Sequence, residues 1–119
     1  MTETVTIYHN PRCSKSRAAL ELLQRHELDV TVIEYLKTPV DRTVLTGLLK
    51  MLDLSPRELM RRGEAPFKDL NLGSAELTDD QLIDAMLEHP ILIERPIVVY
   101  DQQAAIGRPL ENIIDMLDS

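Results

Sequence analysis

The chain has 119 residues, 44% of them hydrophobic and 28% charged, a size and balance suited to one globular domain. A formal net charge of −7 speaks against binding nucleic acid, or an anionic membrane surface, through overall charge. The single cysteine excludes an internal disulfide framework and a thiolate-rich zinc site, and it points to a reducing compartment. No run approaches the roughly 20 apolar residues of a membrane span. Met1-Thr2-Glu3-Thr4 has neither the basic start nor the apolar stretch of a signal peptide. The expectation is a small, acidic, cytoplasmic protein with a lone thiol.

In chain order, the first strand is predicted at Thr4 to Tyr8, where Val5 and Ile7 alternate with Thr4 and Thr6. His9-Asn10-Pro11-Arg12 breaks the pattern. Ser14 is read as the cap of a helix from Lys15 to about Arg25, with Ala18, Ala19, Leu22 and Leu23 at helical spacing. Val30 to Tyr35, rich in β-branched residues, reads as a second strand. The middle is helical. Asp41 is positioned to cap a helix bearing Val44, Leu45, Leu48, Leu49 and Leu52. Ser55-Pro56-Arg57-Glu58 and Thr78-Asp79-Asp80-Gln81 both spell capping boxes. The first should open a short helix ending near Gly63; the second, a helix with Leu82, Ile83, Met86 and Leu87, closed by Pro90.

The period then changes again. Ile97 to Tyr100 is a continuous apolar run, expected of a strand covered on both faces. A turn at residues 101–103, a short strand at Ala104 to Ile106 and a helix over Leu110 to Leu117 complete the chain. Strand-helix-strand, helices, strand-strand-helix is the order of an α/β thioredoxin-like fold: one domain over residues 1–119, with a four-stranded mixed sheet and a helical insertion at about 40–90. Other α/β folds share much of that order.

Cys13 is the first chemical candidate. It follows a strand at the start of a helix, where free backbone N–H groups and the helix dipole favour an anion such as a thiolate. Arg12 and Lys15 add positive charge, and Ser16 lies one helical turn along, in reach of the sulfur. The alternative is a small buried apolar residue. The spacing excludes other cysteine chemistries. Cys13-Ser14-Lys15-Ser16 is not Cys-x-x-Cys, a phosphatase-type loop would need arginine where Ala19 stands, and no glycine is followed by lysine as in a P-loop. His9, four residues before Cys13, is either an imidazolium favouring the thiolate or a turn histidine bonded to backbone. Arginine outnumbers lysine among the 13 basic residues. Arg95 precedes Pro96 and the apolar strand, Arg108 lies between Gly107 and Pro109, and Arg61 sits near the end of the short Ser55 helix. Each is either an oxyanion ligand or a surface ion pair. Pro96 is either a rigid strand edge or a cis-proline.

Together these residues resemble the glutaredoxin-linked arsenate reductase family. The matching stretches are Ile7-Tyr8-His9-Asn10-Pro11-Arg12-Cys13-Ser14-Lys15-Ser16-Arg17, Thr78 to Asp84, His89 to Val99 with its Arg95-Pro96 pair, and Gly107-Arg108-Pro109. The resemblance implies a thioredoxin-like fold with an inserted helical segment and Cys13 as nucleophile. It further implies that His9 and Ser16 assist the thiolate, and that Arg61, or its neighbour Arg62, forms an oxyanion pocket with Arg95 and Arg108. It implies arsenate as substrate, no tightly bound cofactor, glutathione as co-substrate thiol and glutaredoxin as partner. Arg12 departs from the family pattern, which often has a small residue there, and hints at a different anion or thiol partner. Two alternatives stand beside the enzyme: a non-catalytic regulator similar to Spx that binds RNA polymerase, disfavoured by Ser16 in place of a second cysteine, and a reductase for another oxyanion or disulfide.

Overall fold

The alternation of Val5 and Ile7 with threonines decides which face of the first strand is buried. In the computed structural model, which describes residues 3–118, both aliphatics are fully buried. The elements in chain order are β1 (Thr4–Tyr8), α1 (Ser14–Arg25), β2 (Asp29–Ile33), α2 (Arg42–Leu52), α3 (Pro56–Leu59), α4 (Ala65–Asp69), α5 (Asp79–Glu88), a 3-10 turn (Pro90–Leu92), β3 (Ile97–Tyr100), β4 (Gln103–Ile106) and α6 (Glu111–Asp118). They form two compact units. One holds the residues up to Thr38 and those from Arg95 onward; the other is Pro39–Glu94.

The first unit is the sheet, in order β2-β1-β3-β4. β1 pairs parallel with β2 and antiparallel with β3, and β3 pairs antiparallel with β4. This is the mixed four-stranded sheet of a thioredoxin-like α/β fold. Val5, Ile7 and Val98 meet Ala19 and Leu23 of α1 and Ile113 and Met116 of α6 in one core cluster. Full burial of a leucine such as Leu23 contributes about 2 kcal/mol. Burial of Ile97 and Val98, adjacent residues facing opposite ways, bears out a strand covered on both faces, though only in its first half.

The register determines what lies at one end of this sheet. Tyr8 pairs with Ile33 in parallel and with Ile97 in antiparallel sense, and Ile97 pairs with Ile106. The segments leaving β1, β2 and β4 and the segment entering β3 therefore emerge at the same end. That end receives Cys13, Glu34 to Lys37, Arg95 and Arg108.

The helical unit is organised by its caps. Asp41 accepts a 2.8 Å bond from the Val44 N–H, and both capping boxes are complete, Ser55 with Glu58 and Thr78 with Gln81. Leu45, Leu59, Leu82, Met86 and Leu92 are buried within it.

Several elements differ from the sequence reading. The N-cap of α1 is Cys13, not Ser14, because the Cys13 N–H closes a turn onto Asn10 and its carbonyl already accepts from Arg17. β2 ends at Ile33, and Tyr35, read as its last residue, is buried in the turn that follows. α3 stops at Leu59, well before Gly63, because the chain turns extended at Met60 and bridges to Ile93. α4 was not expected, since five residues give too short a span for periodicity to register. Among the described residues no helix is long and apolar enough to cross a membrane.

Candidate active site

The loop after β1 and the first turn of α1 are built around three buried polar residues, His9, Asn10 and Ser16. The Asn10 side chain accepts from the Arg12 N–H at 3.0 Å, and its own N–H donates to the Ser16 hydroxyl at 3.0 Å. His9 Nδ1 lies 2.6 Å from the same hydroxyl. These bonds fold the loop back onto the first turn of α1 and leave Cys13 at the helix start. Asn10 was not singled out from the sequence, although the Asn-Pro pair marks a turn in which asparagine commonly bonds nearby backbone.

Cys13 is a free thiol, 9% exposed. Its side chain makes no capping bond, the first turn of α1 holds no acidic residue, and the residues following are Ser14, Lys15 and Ser16. Burial by itself would push the thiol pKa up. Bonding from the backbone N–H of Ser16, from the Arg95 side chain and from the backbone N–H of Lys15, together with the charge of Arg108, outweighs it, and the net direction is down. The helix terminus and two arginines thus favour the anion over the neutral thiol.

Arg108 makes the most direct contact. Its Nη2 stands 3.2 Å from Cys13 Sγ, while its Nε donates to the Arg95 carbonyl at 2.7 Å. One guanidinium therefore ties the loop after β4 to the segment that enters β3 and still faces the sulfur. Gly107 makes this possible by its lack of a side chain. A Cβ there would lie 2.7 Å from Ile113 Cδ1 and 2.9 Å from Pro96 Cγ. The Arg95-Pro96 and Arg108-Pro109 peptides are both cis, which for Pro96 answers the question left open by the sequence.

His9 and Ser16 are in the loop with Cys13 and bond each other. Desolvation lowers the His9 pKa, Glu34 opposes this and Arg17 reinforces it, with a net downward shift. The shift favours the neutral imidazole, bonded to Ser16, while Arg95 and Arg108 favour the thiolate. The Ser16 hydroxyl is engaged by His9 and Asn10, and it is the Ser16 backbone N–H that favours the thiolate.

Arg61 lies in the helical unit. The extended turn at Met60 sets the Arg61 N–H on the Leu92 carbonyl at 2.7 Å and the Glu94 N–H on the Leu59 carbonyl at 3.0 Å. Side by side on this short ladder, Arg61 donates to Glu94 at 2.6 Å and to Glu64 at 3.3 Å. Cys13, His9, Ser16, Arg95 and Arg108 are thus gathered within the sheet unit, whereas Arg61 is held by two carboxylates of its own unit. Among the described residues, no group of three or more His, Cys, Asp and Glu side chains is placed to hold a metal ion.

Comparison with known proteins bears on the family and the fold. The ArsC family model matches residues 8–116. The uncharacterized protein YfgD of Escherichia coli (strain K12) is 49% identical over 118 residues, covering 98% of this chain and 99% of that protein. An arsenate reductase of Escherichia coli is 46% identical over 113 residues, covering 95% and 80% respectively. The solved structure of an arsenate reductase from Vibrio cholerae superposes with a TM-score of 0.93 at 47% identity, covering 97% of this chain and 98% of that one.

Proposed function

The chain belongs to the ArsC family, and from that premise we propose that it is an arsenate reductase acting through a covalent Cys13 thiol–arsenate adduct. The observation that carries the reading is the contact of the Arg108 guanidinium with Cys13 Sγ at 3.2 Å, at a helix start where the thiol pKa is lowered. A tetrahedral oxyanion is held well by planar guanidinium groups and by free N–H groups at a helix terminus. In this reading arsenate docks against Arg95, Arg108 and the first turn of α1. The Cys13 thiolate attacks arsenic, an S–As bond forms, and one arsenate oxygen takes up protons and leaves as water.

Glutathione then supplies the second thiolate. It attacks Cys13 Sγ, forming a disulfide and breaking the S–As bond. The bonding pair remains on arsenic, which falls from the +5 to the +3 state and leaves as arsenite, while two thiols are oxidised to one disulfide. Glutaredoxin frees Cys13 by thiol exchange. No second cysteine is present to do this internally. His9 and Ser16 serve as positioning residues that hold the loop. Arg61 enters as a third arginine whose charge Glu64 and Glu94 already meet, so its share is the smallest. The reaction takes place in the cytoplasm and needs no tightly bound cofactor.

The test is arsenate reduction by purified protein supplied with glutathione and glutaredoxin. Turnover should fall by roughly three orders of magnitude in Cys13→Ser. Turnover no greater than that of the Cys13→Ser control, over a range of protein concentrations, would remove the arsenate assignment.

A further inference from the structure

Next to the nucleophile lies a cavity of about 280 Å³ that the oxyanion chemistry leaves unused. Asn10, Pro11 and Arg12 form one wall; Glu34, Leu36 and Lys37 form the other. The walls come together because β1 and β2 run parallel and end together, and the His9 N–H donates to the Ile33 carbonyl at 2.8 Å just beyond them. Each wall is fixed in shape. Asn10 holds the Arg12 N–H, Arg17 Nη1 donates to the Pro11 carbonyl at 3.0 Å, and the Lys37 and Thr38 N–H groups both bond the Glu34 carbonyl at 2.9 Å.

The lining excludes Cys13, Arg95 and Arg108, yet Arg12 is covalently joined to Cys13. A molecule seated in the cavity therefore touches the residue next to Cys13 and does not compete with an anion for Arg95 or Arg108. The rim carries two cations, Arg12 and Lys37, and one anion, Glu34, around the apolar Pro11 and Leu36. Arg12 is exposed and makes no ion pair among the described residues, while Lys37 meets Glu34 only loosely, at 3.6 Å between exposed side chains. The complement of this pattern is a small molecule with two carboxylates, one ammonium and a short apolar stretch. The volume lies near the lower end for small-molecule sites, which suits a short peptide.

Resting on the thiol-dependent reading above, we infer that this groove seats the resolving thiol, a small acidic peptide thiol of the glutathione type. Arg12 and Lys37 take its carboxylates and Glu34 its ammonium. So held, the peptide thiol leaves Arg95 and Arg108 to the anion, and adduct and thiol are accommodated together.

The test needs no arsenate. In thiol exchange the Cys13 thiolate attacks one sulfur of a disulfide, the S–S bond breaks, a mixed disulfide forms and one thiolate leaves. The rate of mixed-disulfide formation, followed by mass spectrometry, is measured with oxidised glutathione and with the neutral bis(2-hydroxyethyl) disulfide. The ratio of the two rates removes any change in the reactivity of Cys13 itself. In Arg12→Glu/Lys37→Glu the ratio is expected to fall about fivefold or more, and in Arg12→Gln/Lys37→Gln by less. Arg25→Glu, a charge reversal elsewhere on the sheet unit, should leave it near the wild-type value. An unchanged ratio in the groove variants, or an equal fall in Arg25→Glu, would overturn the proposal. A fall confined to the groove variants supports it even if arsenate is not turned over, a result that would remove the arsenate reading alone.

Discussion

Arg108 and Arg61 are both arginines that the sequence singles out, and the two units use them in opposite ways. In the sheet unit, Arg108 turns one nitrogen toward a backbone carbonyl and another toward the Cys13 sulfur. In the helical unit, Arg61 is clasped by Glu64 and Glu94. A guanidinium facing a thiolate meets one sulfur anion, whereas one between two carboxylates meets two oxygen anions. One guanidinium is tied to the thiol, the other to the carboxylates of its own unit.

The sharpest way to break this comparison is to remove each guanidinium in turn. Arg108→Ala should lower kcat/KM for arsenate by about a hundredfold to a thousandfold, as loss of a charge-stabilising donor does, and Arg61→Ala by less than about tenfold. Equal losses in steady-state assays would show that both arginines reach the anion. Gly107→Ala acts on the support beneath Arg108. Because its Cβ would stand under 3 Å from Ile113 and Pro96, unfolding in urea should show a loss of about 1–3 kcal/mol. Ser55→Ala removes one capping box of the helical unit and should cost about 1 kcal/mol in the same measurement.

The thiol supplies a pH test of the sheet unit alone. With the native Cys13 pKa lowered, the native thiolate fraction exceeds that of the unfolded chain at any pH below the ordinary thiol range. The curve of alkylation rate against pH should therefore lie at lower pH in native than in denatured protein, and Arg95→Met should move it upward. By linkage, the same shift contributes stability that is fully present above the unfolded thiol pKa and is lost as pH falls through the native one. Coincident native and denatured curves would leave Cys13 an ordinary buried thiol.

How much of this was legible beforehand depends on how local each feature is. Both capping boxes were readable because cap and partner lie three residues apart and satisfy each other's backbone groups. The Cys13 loop was readable because a strand, a turn and a helix start follow one another in sequence. The short α4 and the end of β2 were not, since neither five helical residues nor Tyr35, with its strand propensity, carries enough pattern to overrule packing.

By itself, then, the sequence determined a thioredoxin-like order of elements, a lone thiol at a helix start and a short set of arginines worth following. Tertiary structure alone decided which of them meet. Arg108 reaches Cys13 across 95 residues because strand register brings their loops to one end of the sheet. The His9 pKa is lowered because folding buries it against Ser16, and Arg61 bonds Glu94 because a backbone bridge sets the two side by side. Caps and periodicity are short-range and leave their mark in neighbouring residues, whereas charge state and partnership depend on what the fold brings near and on how much water it removes.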